Sequence, residues 1–212
     1  VMDSFTYLLN HSPAARYGFL CQLGDALHYD GLLPVTPTSG NVLDADGRFH
    51  KVVRTVIRVF RQVITMMLEK YESVTVLMAQ GNHDLASSAW LQESFAVLYE
   101  NNPRVKIHVS PLPFYAHRHG DNMLCFHHGH KSKPDNLPSV FMGKFREMFG
   151  QTKQTFIHAG DKHHHYLKEF PGAIVEQHPT IAALDAYAAH HGYHNLRKMQ
   201  CITYHAEYLE QS

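Results

Sequence analysis

Four short stretches end an apolar run with side chains able to hold a divalent cation or move a proton. They are LCQLGDALHYD (residues 20–30), VLMAQGNHD (76–84), MLCFHHGH (123–130) and TFIHAGDKHHH (155–165). Each reads as a strand, then a tight glycine-containing turn, then metal-ligand residue types. The donors are Asp, Asn and His with no thiolate. Such a set suits Mn, Fe, Zn, Ni or Co in an open site rather than a closed structural cage. The carboxyl ends of strands are where binding sites collect in α/β proteins, so one shared site is the economical expectation for the four tips.

The 19 histidines add weight to metal or proton-transfer chemistry, imidazole being the commonest side-chain ligand and the usual acid–base group near neutral pH. Lys plus Arg equals Asp plus Glu at 19 each, so no whole-chain field draws the protein to a polyanion or an anionic membrane. A polyanionic substrate must be held by a local device. With 44% hydrophobic and 18% charged residues, the 212-residue chain has the composition of a folded protein, expected as a single domain over 1–212. Cys21, Cys125 and Cys201 lie far apart in apolar contexts and read as buried, reduced thiols. No apolar run reaches membrane-span length and no signal peptide is visible, so a cytoplasmic protein is expected.

Periodicity supplies the elements that must carry the four tips. VMDSFTYLLN has helical spacing, and a short apolar segment then enters Gly24-Asp25. Residues 31–47 are rich in Pro, Gly, Thr and Asp and read as a long excursion. The stripe Phe49, Val52, Val53, Val56, Ile57, Phe60, Val63, Ile64 and Met67 predicts an amphipathic helix over 48–71. SVTVLMAQ reads as a strand buried on both faces, LASSAWLQESFAVLYENN as a helix, and LPSVFMGKFREMFG as a helix with Pro138 in its first turn and Gly150 as its stop. RVKIHVSP, MLCFHHGH, QTFIHAGD, HYLKEF and AIVEQH read as further strands. The expected fold is a layered α-β-β-α sandwich of two mixed sheets flanked by helices.

In order and context, Gly24-Asp25, Gly81-Asn82-His83-Asp84 and His128-Gly129-His130 resemble the motifs of the calcineurin-like metallophosphoesterases. The resemblance covers essentially the whole chain, and GNHD after a buried strand is its most specific part. It implies hydrolysis of a phosphate ester by a two-metal mechanism with two divalent ions. Asp25 would be the bridging carboxylate, Asn82 and His128 ligands of the second metal, and His83 the catalytic histidine oriented by Asp84. In the last motif His163 is a ligand in either register, with Asp161 and His165 competing for the other place. His130 could reach substrate phosphate. The family's first Asp-x-His motif is missing, which suggests a chain that begins after the first strand.

Within the resemblance, the tail EQHPTIAALDAYAAHHGYHN is similar in character to phosphoesterases of phage or prophage origin, favouring phosphodiesterase or nuclease activity, with nucleic acid a candidate substrate. The alternative is a catalytically impaired scaffold of the same fold that binds proteins. His28 is either a supporting residue or a surface one. His127 should point away from His128 and be structural, and His164 meets the same objection. His190, His191 and His194 read as exposed or capping. Lys131, Lys133, Lys144 and Arg146 read as a solvated face.

Overall fold

The computed structural model describes residues 1–43, 48–182 and 197–208, so His190, His191 and His194 lie outside the described residues. The structure is mixed α/β with two sheets. The chain forms two compact units, Met2–Pro113 and Phe114–Ser212, the latter joined by Val1.

In the amino-terminal unit, α1 (Met2–His11) is followed by β1 (Tyr17–Gln22), α2 (Phe49–Lys70), β2 (Ser73–Met78), α3 (Leu85–Tyr99) and β3 (Val105–His108). The three strands form a wholly parallel sheet in chain order, not the mixed sheet expected. Parallel neighbours need crossover connections, and α2 and α3 supply them. The stripe on α2 turns Val63, Ile64 and Met67 into a core with Leu20, Val74, Val76, Met78, Leu91 and Phe95. β1 and α2 approach so closely that a Cβ on Gly18 would lie 2.5 Å from Tyr71 Cδ2. β2 is buried through Val76, Leu77 and Met78, as its unbroken apolar run predicts. The Asp30 carboxylate, from the loop after β1, accepts the amides of Ala86 and Ser87 at 2.6 and 2.8 Å and so caps the start of α3.

The carboxyl-terminal unit holds β4 (Phe114–His119), β5 (Asn122–His127), α4 (Leu137–Lys144), α5 (Arg146–Gly150), β6 (Gln154–Ala159), β7 (Tyr166–Phe170) and β8 (Ala173–Gln177). Its sheet is mixed, in the order β4-β5-β6-β8-β7. β4 has no clear alternation in the sequence because FYAHRH carries three large polar side chains. The signal it does have is the two-residue Gly120-Asp121 turn joining it to β5, with Gly120 at φ +59°. The helix predicted over 137–150 breaks at Phe145, whose φ of −121° and ψ of 45° leave the helical region. Phe141 and Leu137 of α4 are fully buried against Cys125, Ile157, Ala159 and Val175.

No helix among the described residues is long and apolar enough to cross a membrane. The three thiols are free, but only Cys125 is buried. Cys21 is partly exposed and Cys201 exposed, which corrects the expectation of three buried thiols.

Candidate metal-binding strand tips

Parallel pairing decides which loops meet. Gln22 lies opposite Met78 at the carboxyl ends of β1 and β2, so Gly24-Asp25 and Gly81–Asp84 leave the same sheet edge. There the two turns interlock. Asp25 adopts a left-handed φ of 55°, a conformation Asp tolerates better than most residues, after Gly24 at φ 97°. The His83 amide donates to Asp25 Oδ1 at 2.9 Å. A Cβ on Gly81 would lie 2.0 Å from that same oxygen and 2.3 Å from the Asp25 nitrogen, so only glycine fits between the tips.

The His83 ring stands beside the Asp25 carboxylate, with Nε2 4.0 Å from Oδ2. Its Nδ1–H donates to the His28 carbonyl at 3.1 Å, which leaves Nε2 as the basic nitrogen of the neutral ring. The His28 and His83 rings stack with centroids 5.2 Å apart. His28, undecided in the sequence, is thus the residue that orients His83, largely through its backbone. No sequence pattern marks a carbonyl for that role.

Asp84 departs from the expected arrangement. Its carboxylate is fully buried and accepts the Gly81 amide with one oxygen and the Leu27 amide with the other, each at 3.2 Å. It ties the two tips together rather than holding the His83 ring. Burial, followed by the neighbouring Asp25 charge, pushes its pKa up to about 6. Asn82 is partly buried on the same turn, and its carbonyl accepts the Thr38 hydroxyl at 3.3 Å.

A second pair of tips forms in the carboxyl-terminal unit, where His127 lies opposite Ala159 at the ends of parallel β5 and β6. The Gly160 amide donates to the His128 carbonyl at 2.8 Å. His128 is buried, and its Nε2 lies 3.6 Å from Asp161 Oδ1. Gly129, at φ 117°, is pressed so close that a Cβ would meet the Gly160 carbonyl oxygen at 2.9 Å. The partly buried His130 ring packs 5.2 Å from His128. Lys162 pairs with the other Asp161 oxygen at 2.6 Å.

His127 turns inward as the alternation of a strand requires. It is fully buried, its Nδ1 accepts the Gly129 amide at 2.8 Å, and burial lowers its pKa to about 4. Asp161 and His163 both take left-handed backbone conformations, at φ 66° and 56°, and His163 is exposed. His165 turns to Glu176 Oε1 at 3.2 Å, so of the two competitors it is Asp161 that stands next to His128. His164 is exposed and donates to the Lys162 carbonyl.

Among the described residues, the unit also brings together His158, Glu176 and His178, which no motif in the sequence marks. The signal was faint: a lone histidine inside β6, and two polar residues two positions apart at the end of β8.

No family model and no curated protein matches the chain.

Proposed function

We propose that the chain is a metal-dependent phosphoesterase, of phosphodiesterase or nuclease type, acting with two divalent ions. The observation that carries this reading is the interlock of Gly24-Asp25 with Gly81–Asp84. It presents a carboxylate, an amide side chain and an imidazole on one strand edge at the cost of left-handed backbone at Asp25.

The donor sets fit the ions. Asp25 and Asn82 in the amino-terminal unit, and His128, Asp161 and His163 in the carboxyl-terminal unit, offer oxygen and imidazole nitrogen without thiolate. Asp161 is preferred over His165, which is engaged with Glu176. Divalent ions bound there would neutralise charge on a phosphoryl group and make water a competent nucleophile near neutral pH. The chain's own contribution is positional. The His28 carbonyl fixes the His83 tautomer with Nε2 4.0 Å from Asp25 Oδ2, and on this reading His83 would exchange a proton with the leaving oxygen. His130 is the candidate for contact with substrate phosphate.

The test is hydrolysis of an aryl phosphodiester, and of single-stranded and duplex DNA, by manganese-loaded protein. Turnover that falls in both His83→Ala and Asp25→Asn supports the reading. A protein that binds manganese yet cleaves none of these substrates overturns it in favour of a binding scaffold.

A further inference from the structure

On the face of the carboxyl-terminal sheet opposite α4, His158 of β6 lies directly across from Glu176 of β8 in register. The His178 amide donates to the Ala159 carbonyl at 2.8 Å, extending the β8 ladder by one residue. Strand alternation therefore puts His178 on the same face as Glu176 and His158. His158 Nδ1 and His178 Nε2 are 2.8 Å apart, and Glu176 Oε2 is 4.0 Å from His158 Nδ1. His158 and Glu176 are buried, and His178 is nearly so.

We propose that His158 Nδ1, His178 Nε2 and Glu176 Oε2 form a divalent-cation site of zinc type, separate in its residues from the strand-tip ligands. Three observations support it. Glu176 Oε2 is fully buried with no hydrogen-bond partner among the described residues, an arrangement whose desolvation a cation would offset. The other oxygen, Oε1, is occupied by His165 Nε2 at 3.2 Å and Gln200 Nε2 at 3.3 Å, which directs Oε2 toward the rings.

Both imidazoles have outer partners of the kind that orient ligand histidines. His178 Nδ1–H donates to Gln200 Oε1 at 3.0 Å, leaving the Nε2 lone pair facing His158. Tyr204 Oη lies 2.7 Å from His158 Nε2; by accepting that N–H it would free the Nδ1 lone pair for a cation in place of the 2.8 Å hydrogen bond between Nδ1 and His178 Nε2. Tetrahedral bonds of about 2.1 Å put two donors about 3.4 Å apart, so the nitrogens, now 2.8 Å apart, open slightly around an ion. The 4.0 Å from His158 Nδ1 to Glu176 Oε2 exceeds that separation by about 0.6 Å, which a turn of the Glu176 side chain would close. Two imidazoles and one carboxylate form a known zinc ligand set. The ion would join β6 and β8 to the segment carrying Gln200 and Tyr204.

The test uses the full chain, equilibrated with Zn(II) or Co(II) and freed of excess metal. Glu176→Gln keeps the side chain's size, and His178→Ala removes a ligand. Each should lose one metal equivalent relative to wild type. Gln200→Ala should weaken that equivalent by about 10- to 100-fold. Zn(II) should raise the Tm of wild type by more than it raises that of Glu176→Gln, which keeps only the strand-tip ligands. The paired variant Asp25→Asn with His128→Asn, which removes strand-tip ligands, should keep the Co(II) ligand-field spectrum of this site. If Glu176→Gln and His178→Ala bind as much metal as wild type, or the paired strand-tip variant loses all Co(II) bands, the proposal fails. Should His178→Ala not fold, the paired variant still decides. Loss of hydrolysis with this metal retained would count against the phosphoesterase reading alone.

Discussion

The His83 amide and the Asp25 carboxylate are joined by a 2.9 Å hydrogen bond across two chain segments 58 residues apart, with only a glycine's width between the tips. That contact fixes where the imidazole stands relative to the carboxylate, and it makes Gly81 a spacer for both.

Gly81→Ala would place a methyl group 2.0 Å from Asp25 Oδ1. Overpacking of this kind costs about 1–3 kcal/mol, and here the displaced atoms belong to Asp25. Urea unfolding should show that loss, and metal affinity should fall with it. A variant as stable as wild type would mean that the two tips are not interlocked.

On the proposed phosphoesterase reading, His83→Ala should lower kcat by about 10²- to 10⁴-fold with a smaller change in KM, the pattern of a lost proton-transfer group. Nitrogen NMR of the metal-free protein should find the neutral His83 ring protonated at Nδ1, where the His28 carbonyl accepts. The Nε2–H tautomer would contradict this orientation.

Asp161→Ala and His165→Ala separate the two possible registers of the last motif. Asp161 stands 3.6 Å from His128, whereas His165 reaches Glu176. Manganese affinity measured by titration calorimetry should drop in Asp161→Ala and stay near wild type in His165→Ala. The reverse order would move the ligand set two residues along the chain.

Acid should destabilise the metal-free protein. Unfolded His127 and His158 take up protons near the ordinary value of 6.5, but burial delays uptake in the folded state to about 4 and about 3. The unfolded chain therefore binds more protons in between, and stability falls as pH drops below 6.5. Asp84 works the other way, since its folded carboxyl holds a proton up to about pH 6 against an ordinary value of 3.8. Between pH 4 and 6 two histidines oppose one carboxyl. For these three groups taken together one proton is unbalanced, so their contribution falls with pH, by on the order of 1 kcal/mol per unit. Urea midpoints of chelator-treated protein across this range would test it, and a flat profile would show that the two histidines are not buried as neutral rings.

The turns at the strand tips were legible in the sequence because their signals are local. Gly24-Asp25, GNHD and His128-Gly129 each carry their glycine and ligands within a few residues, and the apolar run before each tip announces a buried strand. The stripe on α2 was equally plain, because Val63, Ile64 and Met67 repeat at helical spacing whatever packs against them. β4 was not, because three polar side chains hide its alternation. The break at Phe145 was not either, because nothing in KFRE forbids helix.

By itself, then, the sequence determined the residue types, the turns that expose them and most of the elements that bear them, since backbone propensity and hydrophobic period act over short range. Only the tertiary structure decided which side chains answer one another. Asp84 binds the Gly81 and Leu27 amides instead of His83, Asp161 stands by His128 where His165 does not, and His158 meets Glu176 and His178. These pairings depend on strand register and on which loops leave a common edge, and parallel neighbours acquire that register only when distant segments dock.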